Sequence, residues 1–243
     1  RAAVDFDGDG IQDDEVPVET AVLTFAITDA TAQDRRAIVD IENCNDCHKN
    51  LSIHGDSRSG NTELCSTCHN PNATDIDKRV AGTDCVNVLG DDDETIDMKR
   101  MVHAIHAGTI GVCGYRSRAY PFFDVVYPGK LNNCEGCHLP GTYYPVDPAV
   151  IPATTVDAGL DRSTLTDDVA ISPNTSVCSS CHTSDLAKDH MVQNGGDFEA
   201  GKADDGSIQS GGSETCGLCH GPGRSSDVKE VHQVGLFDDF NNN

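Results

Sequence analysis

Five copies of one short pattern, Cys-x-x-Cys-His, govern what this chain can fold into. They read CNDCH (44–48), CSTCH (65–69), CEGCH (134–138), CSSCH (178–182) and CGLCH (216–220), and they take ten of the twelve cysteines. The pattern is that of covalent c-type haem attachment. Its spacing has a physical reason. On about one helical turn, Cys i and Cys i+3 lie on one side and can bond the two vinyl groups of a haem. The next histidine then aims its imidazole at the iron. The expected thioether residues are Cys44, Cys47, Cys65, Cys68, Cys134, Cys137, Cys178, Cys181, Cys216 and Cys219. The expected proximal iron ligands are His48, His69, His138, His182 and His220. Structural zinc is the competing use of Cys-x-x-Cys, but it needs a second pair, or histidines at their own spacing. Here the histidine adjoins the cysteine every time.

Haem also answers a packing problem. Aromatic residues are 5% of the 243-residue chain and tryptophan is absent. Such a chain would struggle to bury enough apolar surface to offset its conformational entropy. Either it is disordered or something else supplies the core. Five large apolar macrocycles let the polypeptide merely wrap them. The formal net charge of −23 speaks against nucleic acid and against an anionic membrane surface. It reads most simply as solubility. No apolar run approaches the roughly 20 residues of a membrane-spanning helix. The opening RAAVDFDGDG has no apolar signal region and reads as processed or truncated.

Ten histidines are present, and five belong to the motifs. The remainder, His54, His103, His106, His190 and His232, match one to one the distal positions of five six-coordinate irons. Methionine is the other common distal ligand. Met98, Met101 and Met191 each stand near a spare histidine on a helix-like stretch, and read as packing residues. MKRMVHAIHAG (98–108) has the apolar spacing of a helix. On it, His103 and His106 are i and i+3 and share a face. They cannot grip one iron from opposite sides, so they serve two different, neighbouring haems. For His48 and His54 to share an iron, the short intervening chain would have to loop around the porphyrin edge. His54 is therefore expected to reach another haem.

Cys85 and Cys113 belong to no motif. Haem attachment implies an oxidising compartment outside the cytoplasm, where a disulfide between them is expected and two free thiols are the alternative. In the chain-entropy model a loop of that size stabilises by roughly 3–4 kcal/mol. It would enclose the helix of His103 and His106. At the start, DFDGDGIQDDE sets Asp5, Asp7, Asp9, the Ile11 carbonyl and Asp13 at calcium-loop positions, with a glycine at the turn. Val16 stands where an EF-hand has its bidentate glutamate, so the resemblance is to shorter calcium loops. A solvated acidic linker is the alternative.

The expected fold is mostly irregular with short α-helices, a multihaem c-type cytochrome fold with a short N-terminal β segment. VETAVLTFAITDA (18–30) alternates, with Ala21, Leu23, Phe25 and Ile27 on one face, and predicts a strand. Residues 1–34 form the acidic loop and strand stub, and 35–243 the pentahaem domain. Residues 139–177 read as a long connection, 194–214 as a polar loop, and the tail as frayed.

The order CNDCHKNLSIHG, NTELCSTCHNPNATD, MKRMVHAIHAG, DVVYPGKLNNCEGCH resembles one pentahaem module, like the C-terminal half, of the outer-membrane decahaem cytochromes of the OmcA/MtrC type. CSSCHTSDLAKDHMVQNGG and ETCGLCHGPGRSSDVKEVH are similar to its last two haem sites. The resemblance covers roughly 35–235. It implies electron transfer at the cell surface or in the medium, to metal oxides, flavins or partner cytochromes. It also implies that the five spare histidines are distal ligands. Family members usually carry two such modules and two β-barrel-like domains, whereas one module and a stub stand here.

Electron conduction through five close, saturated haems is thus the leading reading, with no bond chemistry. A multihaem reductase of nitrite or sulfite type is the alternative. It would need one open iron and basic groups for the anion, against the five-to-five count and the acidic charge. Copies of the chain could also assemble as protomers of a cytochrome filament.

Overall fold

The computed structural model describes residues 10, 19–144, 150–159, 163–209 and 213–234. The acidic loop bearing Asp5, Asp7, Asp9, Ile11 and Asp13 lies outside the described residues, as does the tail from 235 on. Two compact units divide the chain: Arg1–Cys68 with Cys134–Tyr143, and His69–Asn133 with Tyr144–Asn243.

The first unit contains helix α1 (Ile41–His48), strands β1 (Ser52–Ile53) and β2 (Arg58–Ser59) paired antiparallel, and helix α2 (Thr62–Cys68). Local chemistry starts both helices. Asp40 Oδ1 accepts from Glu42 N at 3.1 Å, and Asn61 Oδ1 accepts from Glu63 N at 2.8 Å. These are side-chain caps on otherwise unpaired amides, and each stands one turn before the first cysteine of a motif. The third motif is fastened to α1. Val39 bridges His138, Leu139 N donates to Ile38 O at 2.9 Å, and Asn43 Nδ2 donates to Cys137 O at 3.2 Å.

The alternation at 18–30 yields less than a strand. Among its described residues only Glu19 forms a β-bridge, with Ser59, supported by Thr20 N donating to Ser59 O at 3.1 Å. Leu23, Phe25 and Ile27 are exposed. Alternation marks a face, but a strand is made by a ladder of backbone partners.

The second unit opens with helices α3 (Asp84–Leu89) and α4 (Met98–Ala107) and the antiparallel pair β3 (Gly111–Cys113) and β4 (Ala119–Pro121). Strands β5 (Thr154–Asp157) and β6 (Val169–Ile171), helices α5 (Pro173–Cys178) and α6 (Asp185–Gln193), and strands β7 (Ala200–Lys202) and β8 (Ile208–Gln209) follow. Helices α7 (Gly217–His220) and α8 (Val228–His232) end it. The four strands β5 to β8 form one antiparallel sheet in sequence order. That sheet occupies the stretches expected as connection and loop.

Small polar side chains fill the interior. The largest fully buried ones are Thr95, Thr154, Thr155, Thr175 and Cys85, with Ser172, Ser176 and Ser180 beside them. The apolar cluster is modest: Ala104, Ile110 and Val112, against which Ile96, Ile105 and Phe122 pack. Lys202 Nζ, wholly buried, donates to Asp168 Oδ2 at 2.9 Å, Asn72 Oδ1 at 2.8 Å and Thr155 Oγ1 at 3.0 Å. All three ammonium protons are thereby satisfied. Asp75 accepts from Arg79 at two nitrogens (2.9 and 2.8 Å), from Glu94 N at 2.8 Å and from Cys113 N at 2.6 Å. Cys85 and Cys113 are disulfide-bonded, with Cα atoms 5.6 Å apart, and α4 lies within the loop they close.

Candidate haem sites and their histidine pairs

Each motif lies on a helical turn. In the last three, the first cysteine's carbonyl accepts from the histidine amide: His138 N to Cys134 O at 2.9 Å, His182 N to Cys178 O at 3.0 Å, His220 N to Cys216 O at 2.8 Å. CNDCH lies within α1, and CSTCH ends with α2 and the following His69. The local fold therefore sets both cysteines and the histidine of a motif on one turn, as thioether attachment requires.

The second requirement is a ring nitrogen with a lone pair. His69 Nδ1 donates to Ile96 O at 2.8 Å, His106 Nδ1 to Val102 O at 2.8 Å, His220 Nδ1 to Ser226 O at 3.0 Å and His232 Nδ1 to Val228 O at 2.9 Å. A carbonyl only accepts, so Nδ1 carries the proton in all four and Nε2 keeps the lone pair. Fixing a ligand's tautomer and orientation through its other ring nitrogen is how proteins prepare histidine for a metal. Burial pushes the His103 imidazole down from the ordinary value, and the Lys99 backbone offsets only part of that. Burial, then His232 and His220, lower His182 in the same way. Both shifts favour the neutral ring that can ligate.

The third requirement is a partner. The rings of His182 and His232 have centroids 6.0 Å apart with planes at 70°. Those of His190 and His220 are also 6.0 Å apart, with planes at 87°. Two imidazoles on opposite sides of one iron, each nitrogen about 2 Å from it and each ring centre about 1 Å further, would separate their centroids by ~6 Å. Both pairs fit a bis-histidine haem iron. Among the described residues no cluster of three or more His, Cys, Asp or Glu could hold a metal ion in the tetrahedral manner.

The other expected ligands occupy defined places. His54 stands exposed at the tip of the β1–β2 hairpin with φ of 57°. His103 and His106 lie one turn apart on α4, and the His106 ring meets Tyr127 edge-on at 5.6 Å. His138 lies 5.9 Å from the Tyr143 ring, and His48 ends α1. Helix α4 is tied to two motifs at once. Met98 N donates to His69 O at 3.0 Å, while Arg100 Nη1 reaches Ser179 Oγ at 2.8 Å and Thr109 Oγ1 reaches Ser180 O at 2.8 Å.

Several positioning residues gave no sequence signal. Asp227 caps α8, accepting from Lys229 N at 2.9 Å, and also holds Gly223 N at 2.6 Å. Glu214 grips the start of α5. Each is a lone acid outside any motif, and only tertiary contact gives it a role.

A family model for outer membrane cytochrome MtrC/MtrF-like, domains II/IV, matches residues 36–233. The chain belongs to this family. The family is one of outer membrane cytochromes and implies haem c as the cofactor. A crystal structure of the outer membrane decaheme cytochrome OmcA is similar to it, at 24% identity and a TM-score of 0.49, over 92% of this chain and 31% of that one. The chain thus spans about a third of that chain's length. Comparison with curated proteins gives no match. The short helices, small sheets and long irregular connections agree with the fold class expected from the motifs. No helix among the described residues is long and apolar enough to cross a membrane.

Proposed function

We propose that this chain carries five bis-histidine haem c groups and conducts electrons through them without bond chemistry. The two histidine pairs at 6.0 Å carry this reading. His182 and His232 would ligate the iron of the fourth haem, and His220 and His190 that of the fifth. His48, His69 and His138 would be the remaining proximal ligands, and His54, His103 and His106 the remaining distal ones. The ten motif cysteines would hold the macrocycles covalently. Bound haem c supplies a one-electron iron couple, placed low by histidine ligation and tuned by exposure.

Neighbouring sites support conduction. The Cys44 thiol is raised by burial and then by the charges of Cys137 and Cys65, so the first three attachment sites lie within electrostatic reach. His182 feels both His232 and His220, so the last two do as well. The chain would act at the outer cell surface or in the medium, passing electrons to metal oxides, flavins, other multihaem cytochromes or copies of itself. Asp5, Asp7, Asp9, Ile11 and Asp13 are proposed calcium ligands on sequence grounds, and residues 35–243 a single pentahaem domain.

The test is a haem count joined to a reductive titration. Intact mass is expected to exceed that of the chain by five haems, with five electrons taken up per chain and no turnover of nitrite or sulfite. Fewer haems, or steady reduction of either oxyanion, would contradict the proposal.

A further inference from the structure

The last two haem sites are joined at one carboxylate. Glu214 accepts five hydrogen bonds from the start of α5. Oε1 takes Ser172 Oγ at 2.7 Å, Thr175 N at 2.8 Å and Thr175 Oγ1 at 2.7 Å. Oε2 takes Asn174 N and Asn174 Nδ2, both at 2.7 Å. Helix α5 ends at Cys178, the first cysteine of the fourth motif. Next in sequence, Thr215 N donates to Asn194 O at 2.9 Å, and Asn194 Nδ2 donates to His190 O at 2.8 Å. After Thr215 comes Cys216, the first cysteine of the fifth motif. Three successive residues therefore hold the fourth attachment helix, the helix bearing His190, and the fifth attachment site. Gly195 and Gly196 permit this approach. A Cβ on Gly195 would strike the Ser213 carbonyl, and one on Gly196 the Thr175 hydroxyl.

The carboxylate is charged as well as well held. Burial alone would raise its pKa, but the hydrogen bonds from Ser172, Asn174 and Thr175 outweigh that and keep it below the usual carboxylate range. Its charge is felt at both Cys178 and Cys216. Oxidation of a bis-histidine haem leaves one more positive charge at the iron than reduction does. A fixed negative charge nearby therefore favours the oxidised form.

We infer that Glu214 is a positioning residue that locks the fourth and fifth haem sites together and lowers the reduction potentials of both. The inference rests on the haem reading above. One partly buried unit charge near a redox centre is worth on the order of tenfold in its equilibrium, or about 59 mV for one electron.

Spectropotentiometric titration of the haem-loaded protein tests it, with two variants and a haem count on every sample. Glu214→Gln removes the charge and is expected to raise the reduction constants of two haems about tenfold, leaving the rest in place. Thr175→Val keeps the charge but removes one of its donors, so the same two haems are expected to shift the other way. A merely structural residue would not give opposite signs. Curves superimposing on the wild type, or shifting in the same direction in both variants, would overturn the inference. If Glu214→Gln does not load its haems, Thr175→Val decides alone: a lower potential supports the inference and an unchanged one overturns it. A wild type lacking haem at 178–182 or 216–220 would overturn the haem reading itself.

Discussion

His182 and His232 hold their ring centroids 6.0 Å apart although one closes the fourth motif and the other ends α8, beyond the fifth. The second pair, His190 and His220, is nested inside the first. In the proposed reading the fourth motif is completed by a histidine beyond the fifth, and the fifth by a histidine that stands between the two motifs. In sequence, the outer pair encloses the segment that carries the inner one.

The two pairs make these distal assignments testable one at a time. His232→Ala is expected to open the iron held by His182, and His190→Ala the iron held by His220. Each reduced variant should bind about one carbon monoxide per chain, and the double variant about two. A single variant that opens both irons, or neither, would contradict the pairing.

The disulfide closes the loop that contains α4. Replacing Cys85 and Cys113 together by serine is expected to lower the free energy of unfolding by about 3–4 kcal/mol in the chain-entropy model. Hydrogen exchange on α4 should quicken in parallel. Guanidinium titration measures the first effect and exchange mass spectrometry the second.

Lys202 and Asp168 form a buried ion pair 2.9 Å apart, with side chains 2% and 3% exposed. Lys202→Met leaves the Asp168 carboxylate uncompensated and is expected to cost about 3–5 kcal/mol. Adding Asp168→Leu should recover much of that loss, because two apolar groups need no partner. Denaturant midpoints of the two variants check the order.

Glu214 gives the stability a definite pH dependence. Its pKa in the folded protein lies below the ordinary 4.5. Its contribution is therefore fully present above about 4.5 and is lost as the pH falls through the lower folded value. Melting temperatures of wild type and Glu214→Gln should differ at neutral pH and converge as the medium is acidified through that window. A difference independent of pH would show that the charge is not what stabilises.

What the sequence made legible was local. A motif turn such as CSSCH carries its own spacing, and MKRMVHAIHA announces its helix through apolar periodicity. The sheet of β5 to β8 was not legible, because strands of two to four residues are too short to show alternation. Lys202 and Asp168 gave no signal of their buried pairing, since nothing in the sequence marks the partner of a charged side chain. In the other direction, VETAVLTFAITDA alternates well yet gains only one bridged residue among those described, Glu19, because pattern alone supplies no neighbouring strand. Glu214 was invisible for a related reason: its donors Ser172, Asn174 and Thr175 come from a distant part of the chain.

Full axial saturation is the central claim, and a carbon monoxide difference spectrum of the completely reduced wild type tests it most directly. No adduct is expected, because in the proposed reading His54, His103, His106, His190 and His232 each occupy one iron. A stoichiometric adduct would contradict saturation, remove one of these five from the ligand set and open a site for substrate chemistry.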